Sequence, residues 1–389
     1  MPVSFQQIRS QIKIMGPDAI RRQRALDEKR ALAEELFLRH AADLEELERR
    51  VELASLKTPE LRCALPAGEA LNTAHPVPAL DEPVCILAAD GSQINPDRHE
   101  QVEFGVINTG AVRQQPGAAL DEFINSLLLF GDGLQLKNGP MTEEYVALLR
   151  DVSERTTLAD LAEGERLPVV TLSDGPLELF RQSQKSAEYD AKFDEFLAAM
   201  HRLAAVQAVT AGYVDRPRSD LLVRLLELMI FSEDEVERAI QERPLRGVTD
   251  AYLFSAILGP GQRSASLKIH SSSSDRFPGE LALHFFYLNA GSLRRSSMAR
   301  VEIPAWVAEH PILAQRLHAV LVAQVAPLAG HPYPYLLHRA HEVAVVGLQE
   351  KQQISGMIAQ ELISLGLPPG EETNKQIGKD QMGDHKRYQ

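Results

Sequence analysis

Two aspartates occupy matching places in this chain. Asp90 ends the run Val84-Cys85-Ile86-Leu87-Ala88-Ala89-Asp90-Gly91-Ser92-Gln93, and Asp174 ends Leu167-Pro168-Val169-Val170-Thr171-Leu172-Ser173-Asp174-Gly175-Pro176-Leu177. In both, an apolar run leads straight into Asp-Gly, which reads as a buried strand delivering a carboxylate to the edge of a sheet. Glycine lets the backbone turn and come close to a phosphate or a metal, and Ser92 can hold the first turn through a local hydrogen bond. Acids from two strand ends can converge on one cation, which is how a sheet builds a site for a hard metal.

Other residues add to this pair. Residues 141–163 carry a helical pattern with Thr142 as cap and Tyr145, Leu148, Leu149, Val152, Thr156 and Ala159 as the apolar stripe. The order is therefore strand, Asp, strands, helix, strand, Asp. In a ribonuclease H-like sheet a carboxylate from the intervening helix joins the two strand-end acids, and Glu154 is the candidate. Glu143 lies eleven positions earlier on nearly the same face, so spacing alone does not separate them. A solvated helix glutamate is the ordinary reading of either.

Further along, Arg216, Arg218 and Ser219 fall on a turn made by Gly212 and Pro217. Guanidinium forks there suit phosphate oxygens, as they equally suit an internal pair with Asp215. Gly259-Pro260-Gly261, followed by Arg263, is a tight turn able to cradle an anion. Leu337, His341, Ala344, Val345 and Leu348 share a helical face that turns His341 toward the core, where a lone histidine is ordinarily a hydrogen-bonded structural residue.

The elements that must position these groups follow from periodicity. Residues 8–56 form an amphipathic helical arm, and 59–83, with Pro66, Pro76, Pro78 and Pro83, read as a connection. Residues 101–112 alternate as a half-buried strand, and the apolar run 123–136 turns at Gly131-Asp132-Gly133. A helix over 189–209, a turn over 211–219, helices over 221–241, a mobile loop tip at 271–275 and strands at 284–288 and 299–306 come next. This divides the chain into a packing or dimerisation arm (1–60), an α/β domain (61–365) with a helical insertion around 180–250, and a flexible polar tail (366–389).

With 389 residues and 44% hydrophobic content, the chain can bury a sizeable core. The 41 basic and 54 acidic residues leave a net charge of -13, which alone argues against broad nucleic-acid binding, although a bound cation reverses the local field. Cys63 and Cys85 have no paired spacing, which excludes a disulfide framework and a cysteine zinc site. Residues 1–50 are charged throughout, so a cytoplasmic location is expected. Gln315, Arg316, His318 and Gln324 interrupt the apolar stretch 311–330, which suits a packed helix and no membrane span. No Gly-x-x-x-x-Gly-Lys-[Ser/Thr] loop is present, so an ATP-driven motor would have to be a separate chain. There is no Gly-x-Ser-x-Gly elbow, and Ser92 stands where an aspartyl-phosphate phosphatase has its second aspartate.

Taken in order, Asp90-Gly91-Ser92, a helix with Arg150 and Glu154, Asp174-Gly175-Pro176-Leu177, Gly212-Tyr213-Val214-Asp215-Arg216-Pro217-Arg218-Ser219, and Pro332-Tyr333-Pro334 followed by Ala340-His341 resemble the NurA family of DNA nucleases. The resemblance implies an α/β, ribonuclease H-like mixed sheet flanked by helices. It further implies a manganese-dependent (alternatively magnesium-dependent) deoxyribonuclease working on single-stranded DNA and duplex ends, as a 5′-to-3′ exonuclease and single-strand endonuclease. A homodimer and partnership with a HerA-type hexameric DNA-translocating ATPase in end resection are implied as well. Carried over by position, Asp90, Glu154, Asp174 and His341 would hold metal, with Tyr333 or Tyr335 completing the site. His341 is equally suited to protonating the leaving oxygen. Arg216, Arg218, Ser219 and Arg263 would contact phosphate. Two departures stand out: Pro176 replaces a residue that is often serine in the family, and the register of Glu154 rests on Arg150. Competing readings are a catalytically weak DNA-clamping adaptor and an enzyme acting on RNA, hybrids or foreign DNA.

Overall fold

The structure is a computed structural model that describes residues 3–80, 82–100, 102–137, 139–179, 186–328 and 330–367. Helices α1 (Phe5–Arg39) and α2 (Leu44–Lys57) come first, then short strands β1 (Cys63–Pro66) and β2 (Ala74–His75). Next are β3 (Cys85–Ile94), β4 (Phe104–Gln114), β5 (Asp121–Phe130), the two-residue strands β6 (Gln135–Leu136) and β7 (Gly139–Pro140), and helix α3 (Glu143–Glu163). Strand β8 (Val169–Asp174), helix α4 (Ala187–Ala205) and strand β9 (Val209–Asp215) lead to helices α5 (Leu221–Glu227), α6 (Val236–Glu242) and α7 (Asp250–Ser255). Strands β10 (Arg263–Ser264), β11 (Leu267–His270), β12 (Leu283–Asn289) and β13 (Met298–Pro304) are followed by helices α8 (Ala305–Ala308), α9 (Pro311–Val325), α10 (Tyr335–Ala344) and α11 (Leu348–Ser364).

These elements build a mixed sheet flanked by helices, the α/β architecture expected from the strand, helix and acid order. The chain divides into two compact units. One comprises Met1–Ala79, Gly175–Leu179 and Gly212–Pro332, and the other Leu80–Asp174, Phe180–Ala211 and Tyr333–Gln389.

Within the first unit, β1, β11, β12, β13 and the end of β9 pair antiparallel in that order, with β10 bridging β12 and β2. The segment 59–83 is thus more than a connection, since two strands lie in it. Likewise β9 carries residues 211–215, expected as a turn, because its partner β13 supplies ladder hydrogen bonds that outweigh the weak strand propensity of glycine. The N-terminal helix breaks at residues 40–42, and the later part of α1 packs into this unit through Ala33, Leu36 and Phe37, with Phe37 edge-on to Phe254. Residues 271–275 are no mobile tip: Ser271 and Ser274 are buried, and Ser271 and Ser273 both hydrogen-bond the Glu178 carboxylate. The apolar window Pro311–Leu328 is long enough to span a membrane by composition alone, and half of it is buried in the fold.

The second unit holds the order β9-β8-β3-β4-β5. Strand β3 pairs parallel with β8 and antiparallel with β4, and β4 pairs antiparallel with β5. Strand β4 is buried through nine consecutive residues, where alternation had suggested a half-exposed strand. Both of its faces are covered, by α3 and by α10. Thr142 caps α3 by accepting a hydrogen bond from the Tyr145 amide at 3.2 Å, as its position anticipates. Of the flexible tail expected over 366–389, residues 368–389 lie outside the described residues.

Candidate active site

Asp90 does not end its strand: β3 continues to Ile94, paired with β4 as far as Val106. The strand that ends is β8, at Asp174. The last parallel pair is Ala89 with Ser173, so one residue further both strands reach their aspartate. Side chains side by side on parallel strands share a face, and neighbouring strands lie about 4.8 Å apart. Asp90 and Asp174 therefore leave the same face of the sheet from adjacent strands.

Two glycines decide what packs there. Gly110 is the cross-strand partner of Asp90, and a Cβ on it would meet the α10 backbone, 2.5 Å from the Ala344 nitrogen and 2.9 Å from the Ala340 oxygen. Without a side chain, α10 lies directly on the sheet beside Asp90. Its end is fastened by Ser92 Oγ and Asn108 Nδ2, which both donate to the Ala344 carbonyl, at 2.5 and 2.8 Å. From this helix His341 Nδ1 comes 2.6 Å from Asp90 Oδ2. Just before it, the Tyr333 hydroxyl donates to Asp174 Oδ1 at 2.8 Å. Geometry thus separates Tyr333 from Tyr335. It also corrects the placement of His341, which is 63% exposed and lies off the core face formed by Leu336, Leu337, Ala340 and Ala344.

Gly91 works toward the opposite face, where α3 packs. A Cβ there would lie 2.6 Å from Glu154 Oε1 and closer still to Arg150 Cγ. Thr109, which pairs with Gly91, hydrogen-bonds Ser153 at 2.8 Å, and Arg155 donates to Ser173 Oγ at 3.0 Å. Strand pleating puts Gly91, Ser173 and Thr109 on the face turned away from Asp90. Glu154 therefore approaches through the gap that Gly91 leaves, where β8 has already ended.

The Glu154 carboxyl is only 7% exposed, and burial, with the neighbouring Asp151 charge adding to it, pushes its pKa up to about 8. Arg150 Nε, 3.5 Å away, pulls in the other direction. Glu143, the alternative, is exposed at the first turn of α3.

The structure thus brings Asp90, Asp174, Tyr333 and His341 onto one face and sends Glu154 in from the other. Among the described residues, no three His, Cys, Asp or Glu side chains are gathered closely enough to hold a metal ion as the side chains stand. The Asp90 carboxylate is engaged by His341 and by the Gly91 amide, and that of Asp174 by Tyr333. The donor chemistry, oxygen with one imidazole, is nonetheless what Mg or Mn takes. Sequence reasoning passed over Gly110 and Asn108; alternation along β4 and its pairing with Asp90 was the only signal available.

The other four phosphate candidates lie in the other unit. Arg216 is 71% exposed, with backbone φ of 45° and its guanidinium 3.7 Å from Asp215, and Arg218 is exposed. Ser219 Oγ is hydrogen-bonded to the Tyr287 hydroxyl at 2.8 Å, inside a network with buried Asp250. Arg263 is buried beneath the surface. The Gly-Pro-Gly turn is not an anion cradle: the Gly259 amide donates to Gln262 Oε1 and the Gly261 amide to the Asn289 carbonyl.

Comparison with known proteins adds three findings. A family model described as NurA domain matches residues 85–346. The NurA nuclease from Sulfolobus solfataricus is similar in structure at 12% identity, covering 72% of this chain and 84% of that one, with a TM-score of 0.49. The catalytic domain of human endonuclease V matches at 15% identity over 84% of this chain and 98% of that one (TM-score 0.32). Endonuclease V from Ciona intestinalis, in complex with a DNA containing an inosine, matches at 11% over 80% and 99% (TM-score 0.31). No curated protein matches the sequence.

Proposed function

The chain belongs to the NurA family of nucleases, and on that premise we propose that it is a metal-dependent deoxyribonuclease whose site is formed by Asp90, Glu154, Asp174, His341 and Tyr333. The observation carrying this reading is the parallel register that sets Asp90 and Asp174 side by side on the face where α10 delivers His341. Asp90, Asp174 and Glu154 would hold Mn or Mg, which when bound supplies charge neutralisation at the scissile phosphate and an activated water. His341 is held by Asp90 and exposed enough to meet a phosphodiester, so it can deliver a proton to the leaving oxygen or serve as a further ligand. Tyr333 helps to orient the Asp174 carboxylate through the hydrogen bond its hydroxyl donates. Arg150, a third exposed, presents fixed positive charge beside the acids.

The substrates proposed are single-stranded DNA and duplex ends, with Arg216 and Arg218 as backbone contacts. A homodimer is supported within the second unit by strand β5, which ends the pairing order and exposes Ile124, Leu127, Leu128 and Phe130. A HerA-type hexameric ATPase is proposed as partner because membership of the NurA family implies one.

The test is cleavage of labelled single-stranded DNA by the purified chain with Mn or Mg, beside Asp90→Ala and Asp174→Ala. Loss of at least about a hundredfold in rate for both variants supports the reading; parental rates in either would overturn the assignment. Labelled RNA and hybrid strands in the same assay separate a deoxyribonuclease from a ribonuclease. DNA binding without cleavage by the parent would point to the clamping adaptor.

A further inference from the structure

The first unit contains a cavity of about 340 Å³ whose wall includes Glu69, His75, Arg263, Lys268, His284 and Glu309. It shares no residue with the candidate active site. Arg263 is only 7% exposed, yet among the described residues it forms no ion pair. Its Nη1 donates to the Ser264 carbonyl, its plane lies over Phe286, and its Nε is buried without a hydrogen-bond partner. Glu69 acts on it only from a distance, being engaged by His75 at 2.9 Å and by the Ser266 amide at 3.4 Å. On the same wall His284 is 1% exposed, and its Nε2 also has no partner.

A buried cation is costly unless a counter-charge compensates it, and a buried donor or acceptor left without a partner is costly as well. Two such defects on one cavity wall mark a place where the fold keeps polarity that its own contacts do not use. Exposed Lys268 adds a second cation at the mouth. Glu69 and Glu309 supply acceptors on the same lining, so the cavity is two-sided, with cations for an anion and carboxylates for hydroxyl or amino donors. A volume of about 340 Å³ is at the lower end of small-molecule sites, which start at roughly 300 Å³, and exceeds what a bare phosphate fills.

We propose that this cavity binds a small phosphate monoester with a hydrogen-bonding body, of the nucleoside monophosphate class, its phosphate toward Arg263 and Lys268. The proposal does not rest on the nuclease reading.

The probe is adenosine 5′-monophosphate, titrated calorimetrically into the full chain in EDTA, beside adenosine and inorganic phosphate. Saturable binding of the nucleotide is expected, at least about tenfold tighter than either fragment. Lys268→Ala, at an exposed position, weakens it about fivefold or more, while Asp90→Ala leaves it unchanged. Absence of saturable binding at about 10 mM would overturn the proposal, as would equal binding of adenosine or inorganic phosphate. So would an effect of Asp90→Ala with none of Lys268→Ala, which would return the ligand to the active site. An independent readout is the melting temperature of ligand-free Arg263→Met. A cation kept for a ligand is a liability to the empty fold, so the variant melts at or above the parent. A fall of more than a few degrees would mean that the arginine serves the fold.

Discussion

Replacing Glu154 with glutamine tests the most unusual electrostatic feature of the site. In the folded chain the carboxyl titrates at about 8 instead of an ordinary 4.5, because burial penalises its charge and Asp151 repels it. The unfolded chain gives up this proton near 4.5. Below that pH both states are protonated and the residue has no pH-dependent effect on stability. Between 4.5 and about 8 the unfolded state ionises alone, so native stability falls by about 1.4 kcal/mol per pH unit. Above about 8 the loss is complete, with a ceiling of about 5 kcal/mol.

Glutamine mimics the protonated acid and has no proton to lose. In EDTA, Glu154→Gln should melt close to the parent at about pH 4 and progressively above it toward pH 9, by up to roughly 10 °C. Differential scanning fluorimetry across that range reads the gap directly. A gap independent of pH, or a variant that melts below the parent at pH 9, would refute the burial argument. Added Mn should narrow the gap at high pH by stabilising the parent more than the variant, since a cation favours the ionised carboxylate.

Gly91→Ala would push a methyl group into Arg150 and Glu154, which should cost about 1–3 kcal/mol of stability and at least about a hundredfold in cleavage rate; a near-parental melting curve with full activity would show that α3 packs elsewhere. Tyr333→Phe removes the hydroxyl that holds Asp174 and should lower kcat about tenfold while changing stability by less than about 1 kcal/mol. Tyr335→Phe should leave the rate unchanged, and the reverse pattern would reassign the tyrosine. His341→Ala, at an exposed position, should lower turnover by about a hundredfold with little effect on the melting temperature; parallel losses of both would give the histidine a structural role.

Local pattern determined a good deal of this protein. The apolar runs ending in Asp90 and Asp174 predict strands that deliver carboxylates, and Thr142 marks the start of α3, because strand burial and helix capping depend on a few adjacent residues. What lies across the sheet was not legible. That Asp90 stands mid-strand, beside the place where β8 stops, depends on the pairing of residues about eighty positions apart in the chain. Likewise, His341 lies beside Asp90 and away from the core because Gly110 lets α10 rest on the backbone of β4, whereas helical periodicity alone turned it inward. Glu154 parts from Glu143 on burial at Gly91, and burial belongs to the assembled layers, not to positions equivalent on a helical wheel. The chain thus specifies which residues carry charge and which segments are stiff, while tertiary packing decides which charges lose their water, and so where chemistry can occur.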